Sequence, residues 1–295
     1  MQLVPELAMT LAAVVDEGSM DAAARRLHIT PSAVSQRIRA LEEQAGRVLL
    51  VRSRPARPTS AAHPILRYAR QLALLHNDAL AELGEGRTAT LPIAVNADSL
   101  ATWFLPALAR AGARHEVVFD LHRDDQDFTA TLLEAGTVTA AVTSRAEPVA
   151  GCRVTALGVL RYEAMAAPAV VDRWFPDGPT PAALAAAPVV DFDARDDLQS
   201  QWLAQQDADL AAPPRHRVPA SHDFVTAVRL GLGWAMLPRL QAQPALDAGE
   251  LVLLGGAPVD VPLHWQQWNL RSPLLDDVAA EIVAEARRAL IPPAP

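Results

Sequence analysis

Hydrophobic positions in the first 58 residues recur at helical spacing and are interrupted by tight turns. Apolar residues between positions 7 and 15 lie on one face of a first predicted helix, which ends at Gly18. Ser19 is the predicted N-cap of a second helix, "MDAAARRL". Thr30 is the predicted N-cap of a third, "PSAVSQRIRALEEQA", which has Pro31 at its first position and ends at Gly46. Two helices joined by a turn of about three to four residues are typical of a helix-turn-helix.

The third predicted helix separates its apolar and polar residues by face. At about 100° per residue, a buried stripe is formed by Val34, Ile38 and Leu41. Ser32, Gln36 and Arg39 point away from this stripe, and Ser35 and Arg37 flank them. The following run, "VLLVRSRPARPT", alternates apolar and basic residues before its prolines, as a short hairpin or wing does.

Residues 61–84 predict one long helix with an apolar seam. Spacings of four and three residues connect Ile65, Ala69, Leu72, His76, Ala79 and Leu83. Such a seam is wide enough to pair with another helix, and we expect His76 to be a tolerated polar position that sets the register of that pairing. A short polar linker, residues 85–90, follows.

Beyond the linker, strand and helix patterns alternate, which predicts a mainly parallel α/β sheet. The first such unit contains "LPIAVNA", a helix over 99–111, a strand over 116–122, a helix over 126–135 and the strand "VTAAVTS". A second unit occupies about 162–267, with strands near "APVVDF" and "GWAMLP", and a last helix covers 274–290.

Charge is distributed unevenly along the chain. Residues 1–70 carry ten Arg against six acidic residues, and the remainder carries sixteen against twenty-eight, for a net charge of -8. A basic amino-terminal module attracts a polyanion, and an acidic body favours a cationic ligand. The basic amino-terminal part and the acidic remainder of the chain are therefore expected to bind partners of opposite charge.

The basic module is predicted to bind double-stranded DNA, because a helix carrying Ser, Gln and Arg matches the base edges of the major groove. We expect Gln36 and Arg39 to contact bases, and Arg37, Arg52 and Arg54 to contact phosphate or the minor groove. The alternative is a solvated helix face. The predicted DNA-binding residues are Thr30, Pro31, Ser32, Ser35, Gln36, Arg37, Arg39, Arg52 and Arg54.

The sequence carries no catalytic or metal-binding pattern, so we predict no enzyme activity, no metal and no cofactor. The eight His are scattered without an HExxH spacing, and neither GxGxxG nor a P-loop occurs. Cys152 is the single cysteine, which excludes an intramolecular disulfide and is expected to be a buried thiol. Neither a signal peptide nor an apolar run of membrane-spanning length is present, so we predict a cytoplasmic protein with no membrane partner.

A ligand site is predicted at the strand ends, because open α/β sheets bind ligands beyond the carboxyl ends of their strands. In "AVNADSLATW", Ser99 and the amides of Leu100 and Ala101 are expected to hold a carboxylate, and Asp98 a positive charge. Ordinary N-capping by Asp98 and Ser99 is the alternative. Further candidates are Asp124, Asp125, Thr143, Ser144, Asp191 and Asp193, each also interpretable as an ordinary residue at a strand end.

The tripeptide "SHD" at 221–223 does not predict a catalytic triad, because consecutive residues do not face one another in a helix or strand. We expect these residues to cap the helix "FVTAVRLG", with Ser221 or His222 also available to contact the ligand.

The segment "GSMDAAARRLHITPSAVSQRIRALEEQAGRVLLVR" resembles the DNA-binding segment of LysR-type transcriptional regulators, and the rest of the chain resembles the rest of that architecture. The resemblance implies an α/β protein with an N-terminal winged helix-turn-helix, a long linker helix and a two-subdomain effector domain of the periplasmic-binding-protein type, with the ligand between the subdomains. It also implies a homodimer or tetramer formed through the linker helix and effector domains, with promoter DNA and RNA polymerase as partners. The corresponding boundaries are 1–58, 59–89 and 90–295, with subdomain I at about 90–161 and 268–295 and subdomain II at about 162–267.

The strings "VNADSLATWFLPAL", "APVVDFDARDDL" and "FPDG" resemble the ArgP/LysG branch of this family. That resemblance implies an activator of lysine or arginine exporter genes that responds to lysine, arginine or histidine. One alternative is a LysR-type regulator that senses a different small molecule. The other is a solute-binding or enzymatic α/β protein whose first 60 residues make only protein contacts.

Overall fold

The structure, a computed structural model, describes residues 3–85, 88–123 and 129–293. The chain divides into two compact units, each built from separate stretches of sequence. Unit 1 comprises residues 1–95, 109–154 and 265–280, and unit 2 comprises residues 96–108, 155–264 and 281–295.

The amino-terminal part of unit 1 is a winged helix-turn-helix. Its elements are α1 (Pro5–Glu17), α2 (Met20–Leu27), α3 (Pro31–Ala45) and an antiparallel hairpin of β1 (Leu50–Val51) and β2 (Arg57–Pro58). Ser19 Oγ accepts a hydrogen bond from the Ala22 amide at 3.2 Å, which confirms the predicted cap of α2. The hairpin confirms the predicted wing.

The long helix α4 (His63–Glu82) follows a 3-10 turn at Ser60–Ala62. Its first half buries Ile65, Leu66 and Ala69 in the core formed by the first three helices. Its carboxyl-terminal half is more exposed: Leu75 is 40% exposed, and Leu83 beyond the last turn is 75% exposed. The two halves of the predicted seam therefore differ in burial within one chain.

The α/β part of unit 1 contains three parallel strands. The central strand β3 (Ala89–Val95) pairs in parallel with β4 (Val117–Arg123) and with β5 (Ala140–Thr143). Helix α7 (Thr129–Glu134) precedes β5, whose four residues are all buried. This parallel order agrees with the predicted alternation of strands and helices.

Unit 2 combines antiparallel and parallel pairs. Within it, β6 (Cys152–Ala166) pairs antiparallel with β9 (Ala235–Pro238) and β10 (Val252–Leu253), and β7 (Val189–Asp191) pairs parallel with β8 (Arg215–Arg217). Its helices include α8 (Pro168–Trp174), α9 (Pro181–Ala186), α10 (Leu198–Gln205), α11 (Ser221–Arg229) and α12 (Arg239–Asp247). Both units contain residues of β6, β11 (Val259–Trp268), α6 (Phe104–Gly112) and α13 (Pro273–Ala289).

The single helix predicted over 99–111 is wrong. The chain instead forms α5 (Ala97–Thr102) and then α6, with Trp103 between them. Pro106 explains the break, because proline lacks an amide hydrogen and its ring clashes with the carbonyl four residues earlier in a continuous helix.

Candidate functional site

The candidate base-contacting residues share the exposed face of α3. Ser32, Ser35, Gln36 and Arg39 are exposed, whereas Val34, Ile38 and Leu41 are buried in the amino-terminal core. The predicted division of faces is confirmed. The face carries hydroxyl, amide and guanidinium groups, which are the side chains that read base edges in the major groove.

The start of α3 places Thr30 and Ser32 together. Thr30 Oγ1 accepts a hydrogen bond from the Ala33 amide at 3.2 Å and lies 3.0 Å from Ser32 Oγ. This hydrogen bond confirms Thr30 as the N-cap of α3, and Pro31 occupies the first turn of the helix. Polar groups at the positive end of a 15-residue helix are suited to hold a phosphate.

Arg37 contacts α1 as well as flanking the exposed face. Its guanidinium donates to the Glu6 carboxylate and, at 3.4 Å, to Thr10 Oγ1. The side chain is 27% exposed. Arg37 therefore helps to join α3 to α1, in addition to the phosphate contact predicted for it.

The wing presents a cluster of exposed arginines. Arg52 and Arg54 lie in the exposed connection between β1 and β2, and Arg57 on β2 is exposed beside them. The Ala56 amide donates to the Gly18 carbonyl at 2.7 Å, which anchors this loop to the helix-turn-helix. Arg57 was not among the predicted contacts, although the alternating basic pattern already contained it.

Asp98 forms the centre of a polar cluster in unit 2. Tyr162 Oη donates to Asp98 Oδ2 at 2.7 Å, and Ser221 Oγ donates to Asp98 Oδ1 at the same distance. Burial raises the pKa of the Asp98 carboxyl, and the hydrogen bonds from Ser221 and Tyr162 lower it. Because the cost of burial is the larger effect, the carboxyl gains from either a proton or a bound cation.

Gln241 completes this polar cluster, which comprises Asp98, Tyr162, Ser221 and Gln241. Ser221 Oγ lies 3.0 Å from Gln241 Oε1, and Gln241 Nε2 donates to the Ser221 carbonyl at 3.3 Å. The hydroxyl of Ser221 has one proton for the two acceptors Asp98 Oδ1 and Gln241 Oε1. Both contacts become hydrogen bonds when Asp98 is protonated and donates to Ser221 Oγ. Tyr162 and Gln241 were missed because they lie far from Asp98 in sequence.

The predicted use of Leu100 and Ala101 as free amide donors is wrong. Helix α5 begins at Ala97 with Asn96 as its N-cap, and the Leu100 amide already donates to the Asn96 carbonyl at 3.1 Å. Ala101 lies one residue further into the helix, beyond the amides of the first turn. The capping alternative for Asp98 and Ser99 is also wrong, because both residues follow the cap.

Ser99 remains a polar group of interest. It is completely buried, and among the described residues its hydroxyl has no hydrogen-bond partner. An unpaired buried hydroxyl is costly, so it is suited to receive a polar group from a ligand or an ordered water.

Capping does not explain Ser221 and His222. Ala220 is the N-cap of α11, with no side-chain cap, and Ser221 is directed to Asp98 instead. His222 is exposed and borders a surface pocket of about 260 Å³ between α11 and α12, which Gln241 also lines. His222 therefore belongs to an adjacent pocket, while Ser221 belongs to the polar cluster.

Asp191 and Asp193 already have partners in unit 2. Asp191 is buried and pairs with Arg215, whereas Asp193 Oδ1 accepts the Arg195 amide at 2.7 Å. Asp196, which the sequence did not single out, accepts the Phe192 amide at 2.8 Å and the Leu198 amide at 3.2 Å. Burial raises the pKa of Asp196 to about 6. These contacts stabilise the loop after β7.

The remaining candidates lie in unit 1 or outside the residues that the structure describes. Thr143 is buried and its Oγ1 accepts the Arg145 amide at 3.1 Å, and Ser144 is half-buried beside it. Asp124 and Asp125 fall outside the described residues.

Two further observations bear on chemistry. Within the described ranges, no three His, Cys, Asp or Glu side chains group as metal ligands, and no helix is long and apolar enough to cross a membrane. Cys152 is half-buried, and burial raises its pKa to about 11 while the nearby charge of Arg67 lowers it. This thiol is therefore a poor nucleophile at neutral pH.

Comparison with known proteins agrees with both parts of the fold. Residues 6–63 match the bacterial regulatory helix-turn-helix protein, lysR family, and residues 84–287 match the LysR substrate binding domain. The chain is 42% identical to the lysine export transcriptional regulatory protein LysG of Corynebacterium glutamicum, over 96% of this chain and 98% of that protein.

Solved structures give the same result. The crystal structure of ArgP from Mycobacterium tuberculosis superposes with a TM-score of 0.89 at 43% identity, covering 99% of this chain and all of the other. Full-length LysG from C. glutamicum with bound effector Arg gives a TM-score of 0.80 at 40% identity, covering 98% of this chain and 100% of that one.

These matches confirm the predicted fold class and the resemblance to ArgP and LysG. The relatives are transcriptional regulators, so the solute-binding and enzymatic alternatives are excluded. The chain belongs to the LysR family of bacterial transcriptional regulators, and within it to the regulators of the LysG and ArgP type.

Proposed function

We propose that this regulator activates a gene for a lysine or arginine exporter when lysine, arginine or histidine binds to its effector domain. The observation that supports the proposal most directly is the Asp98 carboxylate, which two hydroxyl donors hold at 2.7 Å. In this proposal Asp98 binds the positive charge of the ligand.

The chemistry of Asp98 supports a cationic ligand. A carboxylate oxygen accepts more than one hydrogen bond, so Tyr162 and Ser221 orient the group without using all of its capacity. A guanidinium or ammonium group forms charge-assisted hydrogen bonds with such an acceptor. The ligand thereby offsets the cost of burying the charge.

The relatives support the same class of ligand and target. LysG of C. glutamicum has Arg as its bound effector in one solved structure, and LysG of the same organism is named as a lysine export transcriptional regulatory protein. We carry both properties over to this chain. Ser99, Thr143, Ser144, Asp124, Asp125, Asp193 and His222 are retained as further candidate effector contacts, and Asp191 is given a lower rank because Arg215 already pairs with it.

For promoter DNA, we propose base contacts from Gln36 and Arg39 on α3. Phosphate contacts are assigned to Arg52, Arg54 and Arg57 in the wing and to the hydroxyls at the start of α3.

The exposed carboxyl-terminal half of α4, including Leu75, supports pairing with a second copy of the chain. We retain a dimer or tetramer, RNA polymerase as a partner, and the domain boundaries 1–58, 59–89 and 90–295. Since promoter DNA and RNA polymerase are cytoplasmic in bacteria, we propose that the protein acts there.

A second candidate function is a LysR-type regulator that senses a different, uncharged small molecule. The raised pKa of Asp98 favours it, because a protonated carboxyl carries no negative charge to attract a cation. In that case the polar cluster would contact the ligand through hydrogen bonds rather than through a positive charge on the ligand.

Calorimetry compares arginine with citrulline, an isostere that keeps the α-ammonium group but has an uncharged side chain, and so tests recognition of the guanidinium by Asp98. The proposal expects arginine to bind about 10- to 100-fold more tightly than citrulline, and Asp98→Asn to remove this preference. Asp172→Asn, an acid-to-amide change at an exposed position of α8 in the same unit, is the matched control and is expected to retain it. Equal binding of arginine and citrulline to the wild-type protein would contradict recognition of a cationic side chain and would favour the second candidate. Transcription from a reporter with and without arginine then tests activation.

A further inference from the structure

One arginine of α4 bridges the DNA-binding and effector parts of unit 1. Arg70 Nη2 lies 2.5 Å from Asp16 Oδ1 on α1, and Arg70 Nη1 donates to the Gly136 carbonyl in the turn after α7. Only 13% of the Arg70 side chain is exposed. A single guanidinium therefore connects two parts of one chain that are far apart in sequence.

A second arginine on the same helix face makes a parallel contact. Arg67, three residues earlier and hence on the same side of α4, donates to the Ala150 carbonyl at 3.1 Å. The two arginines place α4 across the segments that flank β5.

Gly136 provides independent evidence that α4 is seated closely on this turn. Gly136 has φ +67°, and a Cβ added there would lie 2.8 Å from both the amide nitrogen and Cβ of Arg67. Both the positive φ of Gly136 and the close approach of α4 therefore disfavour any residue with a side chain at this position. The turn after α7 is thus shaped to receive the helix backbone.

We propose that Arg70 is the positioning residue through which the effector domain sets the position of the DNA-binding domain in the same chain. The bridge comprises Asp16, Arg70 and Gly136. Arginine suits this role because its planar guanidinium presents several donors in a fixed geometry. Any displacement of the Gly136 carbonyl changes the bonds that hold Arg70, and thereby the position of α1.

The bridge is also connected to candidate effector residues. Thr129, at the start of α7, donates from Oγ1 to the Val142 carbonyl in β5 at 2.7 Å. Val142 precedes Thr143 and Ser144, and α7 leads directly to Gly136. A ligand contact at the end of β5 is therefore linked to Arg70 through Thr129, helix α7 and the Gly136 carbonyl. This part of the inference rests on the proposed function, because it requires an effector.

The test compares Arg70→Ala with Arg271→Ala, which removes an exposed arginine from the same unit. Calorimetry with arginine is expected to give dissociation constants within about twofold of wild type for both variants, since neither residue is assigned to the ligand. The arginine-dependent change in promoter affinity, about 5- to 150-fold for a typical allosteric protein, is expected to be lost only in Arg70→Ala. A full response in Arg70→Ala would overturn the proposal.

Two further measurements cover other outcomes. Asp16→Asn weakens the α1 side of the bridge, together with the 3.4 Å contact from Arg26 Nη1 to Asp16 Oδ2. It is expected to reduce the response as well, so it decides the matter if Arg70→Ala does not fold. Hydrogen exchange needs no effector: opening of α1 and of residues 129–143 is expected to be about fivefold faster in the bridge variant than in Arg271→Ala. If the promoter affinity of the wild-type protein does not change with arginine, lysine or histidine, the proposed effector is wrong. Hydrogen exchange then becomes the test of the bridge. Unchanged exchange in both segments would refute it.

Discussion

Arg215 Nη1 contacts both oxygens of the Asp191 carboxylate, at 2.9 Å from Oδ1 and 3.0 Å from Oδ2. Asp191 is 3% exposed, and Arg215 Nη2 also donates to the Leu210 carbonyl at 2.6 Å. The pair joins the parallel strands β7 and β8. Among the described residues, Arg215 is the cation that pairs with the buried Asp191 carboxylate.

Removing the cation is expected to destabilise unit 2 strongly. Arg215→Met keeps the apolar stem and leaves a buried, unpaired carboxylate, which costs about 3 kcal/mol in free energy of unfolding. Arg217→Met, two residues along β8 at an exposed position, is the matched control and is expected to change stability by about 0.5 kcal/mol or less. Urea unfolding followed by tryptophan fluorescence measures both. Equal effects of the two substitutions would contradict a structural role for the pair.

Asp196 is expected to make stability depend on pH. Burial raises its pKa to about 6 in the folded chain, so the folded state binds this proton more tightly than the unfolded state. The contribution is fully present below the unfolded pKa and is lost as the pH rises through about 6. Between pH 7 and pH 5 the wild type should therefore gain about 1 kcal/mol from this group.

The measurement compares wild type with Asp196→Asn over the same pH range. The variant lacks the titrating proton, so its stability is expected to increase less on acidification. Asp197→Asn, an exposed neighbour, serves as the control and should retain the wild-type slope. A slope in Asp196→Asn equal to that of wild type would assign the pH dependence elsewhere.

Tyr162 is expected to tune the affinity for a cationic ligand through Asp98. Its hydroxyl lowers the pKa of the Asp98 carboxyl, so Tyr162→Phe should raise that pKa further. Cation binding requires the ionised carboxylate, so arginine affinity should increase with pH, and the variant should reach its maximum at higher pH. Calorimetric titrations at several pH values test this. Tyr68→Phe, at the only other tyrosine, should leave the profile unchanged.

The DNA interface is expected to separate into base-reading and phosphate-binding residues. Gln36→Ala should weaken binding to an operator selected with the wild-type protein by about 10- to 100-fold, while non-specific DNA is little affected. Arg52→Ala should weaken binding to both DNAs and reduce the salt slope by about 1. Gel-shift titrations at several salt concentrations measure both effects. An unchanged operator affinity in Gln36→Ala would contradict the recognition-helix assignment.

The amino-terminal domain was predictable because its signals are local. The caps at Ser19 and Thr30, the left-handed Gly46 and the apolar stripe of α3 each act within a few residues, and all appear as predicted. The order of strands and helices followed from the same periodicity. Pro106 carried the information that the helix after Asp98 breaks, but the apolar pattern on both sides obscured it.

The polar cluster was only partly predictable, because its members come from four separate stretches of sequence. Asp98 and Ser221 were candidates on account of their positions at helix starts. Capping was the alternative role for Asp98 and the expected role for Ser221, and it is wrong for both. Nothing near Tyr162 or Gln241 in the sequence marks them as partners of Asp98. Likewise, the pairing of Asp191 with Arg215 depends on the register of β7 and β8, which the sequence pattern does not specify.

The half-buried Cys152 has a practical consequence for studying how this protein moves. With a pKa of about 11, only about one thiol in ten thousand is ionised at pH 7, so maleimide reagents should react with it slowly. It is also the single cysteine in the chain. A cysteine introduced on an exposed position, such as the wing, could then be labelled selectively with a fluorophore or spin label while the native residue stays in place. Distances between labels would report on the separation of the two wings in the proposed dimer.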